Sequence, residues 1–222
     1  MTLIGNDIVD LTQSRKQNKI NNQPFSDRVF TSDEQEMIRR SSNPFLTLWF
    51  FWAAKETAYK ICKKKDEKTV FAHKEFRVVP DEWVSLGVEG EKNGQLRYAK
   101  MNIDLRWFWN GEYVHCIGML GHGVRKLHNI QFAVQDMRSF LPRLTLTKAE
   151  QNSVYSESSE KVRILAKELL EASGFVDIEI LRENKKNDRG PPQLFLNRKL
   201  FEKIEISLSH DGNYLAAAMC LA

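Results

Sequence analysis

Cysteine is scarce in this 222-residue chain: Cys62, Cys116 and Cys220 are odd in number, far apart and form no Cys-x-x-Cys pair. That pattern excludes a disulfide framework and a thiolate zinc site, and it suits a reducing, cytoplasmic compartment. Glycine and proline, 11 and 6 residues, are too sparse for a collagen-like or disordered chain. Long apolar runs are missing too. The longest uncharged stretch, Ser41 to Ala54, falls short of the ~18 residues a membrane span needs, and MTLIGNDIVD has no basic segment ahead of an apolar one. Neither membrane insertion nor secretion is expected. No GxxxxGK[ST], GxGxxG or Gly-x-Ser-x-Gly occurs, which removes glycine-loop phosphate binding and the usual hydrolase elbow. His73, His115, His122 and His128 lack metal-ligand spacing and read as surface or packing residues.

What is present is 42% hydrophobic and 28% charged, enough apolar material for one medium domain or two small fused units. The net charge of +4 is unevenly spread, with basic residues crowded at 60–65, 123–128 and 182–189. Each cluster is either a solvated face or a receiver for phosphate or an acidic partner. Nucleic acid is a poor fit to so modest an excess, and Trp107 to Trp109 belong to hairpin packing.

Along the chain, LIGNDIVDL reads as a short strand ending in carboxylates, and 12–26 as loop. FTSDEQEMIRRS has a Thr/Ser cap, early acids and late arginines, which predicts a short helix. From Pro44, FLTLWFFWAAKETAYKICKKK predicts a long helix apolar on nearly every side. Then come FRVVP, WVSLGV, a single run QLRYAKMNIDLRWFW, a type I′ turn at Asn110-Gly111 and EYVHCIGML. In the last third, SSEKVRILAKELLEASGF predicts an amphipathic helix ended by Gly174, VDIEIL a strand, RENKKNDRGPPQ a loop, and KIEISLS with NYLAAAMCLA a closing hairpin. The same order of strand, helices, strand and hairpin occurs twice without any repeat by residue identity. An α+β fold follows, with two pseudo-two-fold-related lobes, 1–127 and 128–222, each a small, mostly antiparallel sheet on a long helix, and a site between them.

Helical steps of 100° place Trp52, Glu56, Lys60 and Lys63 on one stripe of the long helix, with Lys55 a quarter-turn away. Because that helix is so apolar, the charged stripe faces either a narrow strip of solvent or a polar cleft. Asp7 adds a second acid at the end of a rigid strand. Two carboxylates without a His or Cys cluster suit a hard divalent cation such as Mg²⁺, which binds oxygen and keeps waters and substrate phosphates. Lysines beside it would neutralise the remaining phosphate charge. Ser209-His210 lies where a strand enters its turn, and the imidazole there is either structural or a donor to phosphate.

The pieces GNDIVDL, WAAKETAYK and ISLSHDGNYLAAA together resemble the three signatures of the 4′-phosphopantetheinyl transferase superfamily. The resemblance implies Mg²⁺-dependent transfer of the phosphopantetheine arm of coenzyme A onto a serine of an acyl or peptidyl carrier protein. It implies that Asp7 and Glu56 hold the metal, that Lys60 contacts phosphate and stabilises the leaving group, and that Glu56 takes the serine proton directly or through a water. It also implies that Lys55 sits beside the metal ligand and that His210 binds a coenzyme A phosphate. The segment order is that of the short holo-acyl-carrier-protein synthase type, whereas the second helix and hairpin look like the first lobe of the two-lobed, surfactin-synthetase-activating type moved to the end. A monomeric, permuted pseudo-dimer is therefore expected. Val9 stands where two-lobed members often carry a second acid, and Gly190-Pro191-Pro192 where they carry Gly-Lys-Pro, so Arg189 and Arg163 are the candidates to replace that lysine toward coenzyme A. These two departures also motivate an alternative, a non-enzymatic binder of coenzyme A or a carrier protein.

Overall fold

The computed structural model describes residues 2–79, 87–120, 124–185 and 188–222, and of 124, 125, 183–185, 188 and 189 the backbone alone. The first lobe opens on β1 (Ile4–Asp10) and passes through α1 (Leu11–Gln17), α2 (Gln23–Val29) and α3 (Ser32–Arg40) into α4 (Pro44–Lys65). It returns as β2 (Arg77–Val78), β3 (Gly90–Tyr98), β4 (Met101–Trp109) and β5 (Tyr113–Leu120), giving an antiparallel sheet of order β1-β5-β4-β3-β2. A short α5 (Val124–Leu127) leads to β6 (Gln131–Asp136), α6 (Lys148–Gln151) and α7 (Glu157–Ala172). The chain ends with β7 (Ile178–Lys185), β8 (Asp188–Leu196), β9 (Lys199–Leu200), β10 (Ile204–Asp211) and β11 (Tyr214–Leu221). The expected single sheet of the second lobe is split in two, β10-β11-β6 and β7-β8-β9.

Helix α4 forms because Asn43 caps the Leu46 amide and Pro44 occupies the first turn. Its apolar sides are covered by the sheet on one side and by α2 and α3 on others, and Phe50, Phe51, Ala53, Ala54 and Ala58 are wholly buried. Close contact with the sheet depends on two glycines. A Cβ at Gly5 would lie 2.4 Å from the Thr57 carbonyl oxygen, and one at Gly118 would lie 2.8 Å from Thr57 Cγ2. Thr57 Oγ1 donates to the Cys116 carbonyl at 3.2 Å, which fixes the helix along β5.

The pseudo-two-fold relation is visible in a repeated polar constellation. Thr31 and Glu34 form a capping box at the start of α3, and buried Glu34 also accepts from Lys55 Nζ of α4 at 2.9 Å and from the Val78 amide of β2 at 3.0 Å. Thr147 and Glu150 form the same box at the start of α6, and buried Glu150 accepts from Lys167 Nζ of α7 at 2.7 Å and from the Ile180 amide of β7 at 2.9 Å. Each lobe thus ties helix start, long helix and following strand through one glutamate.

The lobes join along β1 and β10. Alternate side chains of β10 accept the amides on the open edge of β1: Ser207 Oγ from Asn6 at 2.9 Å, Ser209 Oγ from Ile8 at 3.1 Å and Asp211 Oδ2 from Asp10 at 2.8 Å. Apolar contact between the lobes comes from Ile4, Ile117 and Met119 with Ala218 and Cys220, and from Ile8 with Tyr214 and Ala216. Lys64 of α4 adds a tie, donating to Ile4 O at 2.9 Å, Ile206 O at 2.6 Å and Glu205 Oε2 at 2.6 Å.

Several local expectations are corrected. Residues 12–26 are largely helical, because the Asp10 carboxylate caps α1 through the Thr12 and Gln13 amides and Asn22 caps α2. The run 95–109 is a hairpin that turns at Ala99, whose φ is 50°. Asn110-Gly111 does not use positive φ; Asn110 Oδ1 instead accepts from the Glu112 and Tyr113 amides and closes the turn itself. The basic loop at 182–193 is mostly strand, since β7 and β8 extend toward each other through it. Strand β6, which follows the link after the first lobe, was not anticipated. WVSLGV lies for the most part outside the described residues.

Candidate functional site

The close approach of α4 to β1 over Gly5 brings Lys60 to Asp7. Lys60 Nζ donates to Asp7 Oδ1 at 2.9 Å and to the Asn6 carbonyl at 2.8 Å. One helical turn earlier Glu56 faces the same cavity, about 560 Å³, as do Asp7 and Lys60. Of the two environments open to the charged stripe, the cleft is the one found for Glu56 and Lys60, while Lys63 reaches away to Glu67 O at 2.6 Å. Burial raises the Glu56 carboxyl, and the Asp7 charge raises it further against the pull of Lys60, up to about 7. Among the described residues Glu56 accepts no hydrogen bond.

The facing wall belongs to the second lobe. β10 supplies Ser209, His210 and Asp211, the segment before α7 supplies Tyr155, α7 itself supplies Arg163, and β7 supplies Arg182. Arg163 is only 1% exposed, yet its Nε and Nη1 have no hydrogen-bond partner among the described residues. Burial, and after it the Arg182 guanidinium, lower its proton affinity. A buried guanidinium with spare donors at the edge of a cavity is a receptor for an anion. His210 is held neutral near pH 7, its pKa lowered by burial first and then by Lys60 and Arg182, and its Nε2 lies 3.4 Å from the Tyr155 hydroxyl. A smaller cavity shares Lys60, Arg182 and Leu208 with the first and is walled by Tyr59, Gly190, Pro191 and Pro192, so the glycine-proline segment does border the site.

On the first-lobe side the cavity ends in an aromatic wall, of which the helical stripe marked only Trp52. Phe25, Trp49 and Trp52 pack with ring centroids 5.6–6.5 Å apart, rimmed by Lys19 and Arg28. Its signal was the pair of caps at Asp10 and Asn22, which turn the supposed loop into short helices leading Lys19, Phe25 and Arg28 to the cavity.

Asp7, Glu56, Lys60, His210 and Arg163 are therefore brought together. Lys55 is not. It is fully buried on the other side of α4, where Glu34 takes it through both oxygens at 2.9 Å and the His73 and Phe76 carbonyls complete its shell. A saturated ammonium cannot also hold a cofactor; the helical quarter-turn that separates it from Glu56 carries it into the core. The side chain of Arg189 lies outside the described residues. Lys64, in the basic cluster at 60–65, is spent on the lobe tie and only 7% of its side chain is exposed.

Among the described residues no group of three or more His, Cys, Asp or Glu could hold a metal by itself. A fully protein-built cage is thus absent there, but two carboxylates repelling each other in one cavity, one of them without a hydrogen bond, are the donor set of a Mg²⁺ that keeps waters and substrate oxygens. The residues fit such an ion. Among the described residues, no helix is long and apolar enough to cross a membrane.

A search of the curated proteins found no match to the chain. A family model, by contrast, matches residues 3–117, slightly more than half of the molecule, spanning β1 with Asp7, all of α4 with Glu56 and Lys60, and most of β5. On that match, the chain belongs to the 4′-phosphopantetheinyl transferase superfamily.

Proposed function

We propose that the protein transfers the 4′-phosphopantetheine arm of coenzyme A to a serine of an acyl or peptidyl carrier protein, with Mg²⁺ held by Asp7 and Glu56. Membership of a transferase superfamily supports the reaction class. The observation that carries the assignment to this cavity is the meeting of two carboxylates and Lys60 from the first lobe with Arg163 and His210 from the second. A divalent cation bound there supplies charge neutralisation at the pyrophosphate. Lys60 donates to a phosphate oxygen and offsets the charge that builds on the leaving adenosine 3′,5′-bisphosphate. Arg163, with spare N–H donors, and neutral His210 hold the nucleotide phosphates. The carrier serine Oγ attacks the phosphorus bearing the pantetheine, the bond from that phosphorus to the bridging oxygen breaks, and the serine proton passes to Glu56. Without the cation, burial and the Asp7 charge hold the Glu56 carboxyl at about 7; beside a bound divalent cation that value falls, and the carboxylate stays ionised to accept the serine proton.

The same reading makes the molecule a cytoplasmic monomer with lobes 1–127 and 128–222. Incubation with coenzyme A, Mg²⁺ and apo carrier proteins tests it. Mass spectrometry should show the phosphopantetheine increment on the carrier, and Glu56→Gln should slow its appearance by about 10²–10⁴-fold. A folded sample that modifies no carrier would defeat the enzymatic reading. Tight coenzyme A binding without turnover would leave the non-enzymatic binder in its place.

A further inference from the structure

Ser209 stands at the junction of the lobes and of the site, and its one hydroxyl donor is committed. Oγ accepts the Ile8 amide at 3.1 Å, one of the three bonds that dock β10 on β1. Its single proton goes to Asp7 Oδ1 at 2.9 Å, the same oxygen that receives Lys60 Nζ at 2.9 Å. Asp7 Oδ2 makes no hydrogen bond among the described residues. A hydroxyl has one donor, so Ser209 cannot donate to a substrate phosphate while it holds this aspartate. We infer that Ser209 is a positioning residue: by occupying Oδ1 together with Lys60, it turns Oδ2 of Asp7 toward the cavity as the cation's ligand. This rests on the metal reading proposed above.

Ser207 supplies the control. It makes the equivalent docking bond to the Asn6 amide at 2.9 Å, and no hydrogen bond joins it to Asp7. The experiment is a Mn²⁺ titration of the full chain without coenzyme A, followed by the loss of the free-ion electron paramagnetic resonance signal. Loss of a hydrogen bond to a metal ligand typically weakens binding 10–100-fold, so Ser209→Ala should weaken Mn²⁺ binding by at least about 10-fold. Ser207→Ala should stay within about two-fold of the wild type, while both variants lower the thermal midpoint by similar amounts. Should Ser209→Ala not fold, Ser209→Cys, which keeps the shape and weakens the donor, should show a loss in the same direction. Wild-type affinity in folded Ser209→Ala, or an equal loss in Ser207→Ala, would overturn the inference while leaving the metal site standing. A wild-type protein that binds no Mn²⁺, or whose Mn²⁺ binding is unchanged in Asp7→Asn, would remove the metal reading and this inference with it.

Discussion

At the scale of single residues, Lys55 and Glu56 show how one step along a helix separates structure from chemistry. Lys55 closes a buried pair with Glu34, and removing one member of such a pair costs about 3–5 kcal/mol because the other is left uncompensated. Lys55→Met should therefore lower the unfolding free energy obtained from urea titration by an amount in that range; in the protein that remains folded, KM for coenzyme A should be unchanged. A rise in KM without loss of stability would return Lys55 to the site. His115 makes a second residue-level prediction. Complete burial, and secondarily Lys60, depress its pKa from 6.5 to about 3, so the folded protein keeps it neutral. Below pH 6.5 the unfolded chain takes up a proton that the fold refuses. Its contribution to stability is full above 6.5 and is lost as pH falls toward 3, at up to about 1.4 kcal/mol per unit. Glu56, raised to about 7, gives the opposite slope in that range, and the lowered His73 and His210 add to the His115 slope. The quantity to follow by urea titration from pH 6.5 down to 5 is therefore the stability of the wild type relative to His115→Gln, which should fall at up to about 1.4 kcal/mol per unit.

Elements hold the site through their closest approach. The first glycine of GNDIVDL has a steric purpose, since β1 and α4 meet there with no room for a Cβ. Gly5→Ala must push the helix off the strand, at a cost of about 1–3 kcal/mol in overpacking. Because Asp7 rides on one element and Glu56 and Lys60 on the other, phosphopantetheine transfer should fall further than stability alone explains. Calorimetric melting set beside initial rates on the folded fraction would check this, and full activity in the Gly5→Ala variant would contradict it. Gly212, at φ 53°, has a comparable place on the second lobe: a Cβ there would come within 2.3 Å of Asp10 Oδ2, the oxygen that accepts the Asn213 amide. The α1 cap and the closing hairpin are thus one arrangement around Asp10, whose carboxyl stays below its usual value because these hydrogen bonds outweigh the effect of burial.

For the whole molecule, the repeated Thr-x-x-Glu box and its lysine allow the lobes to be compared directly. Placing Lys55 on Lys167 sets Glu56 on Glu168 but Lys60 on Ala172, and matching the strand-end acids Asp10 and Asp136 sets Asp7 on Ala133. The second lobe keeps the scaffold and Glu168 but lacks counterparts of Asp7 and Lys60, so the comparison yields one site per chain, completed by β10 and α7. Light scattering should give the mass of one 25.8 kDa chain; a trimer would mean that the site is finished between subunits. Sequence alone determined the long helix from Pro44 to Lys65 and the amphipathic helix ended by Gly174, and it set Asp7 beside the Glu56–Lys60 stripe, because capping, periodicity and helical step angles are local properties of the chain. It did not separate cleft from solvent strip, send Lys55 and Lys64 into ion pairs, or reveal the aromatic wall and the Ser209 contact to Asp7. Those were decided by packing: what a side chain meets across the sheet or between lobes depends on residues up to and beyond 203 positions away, and no local pattern encodes that distance.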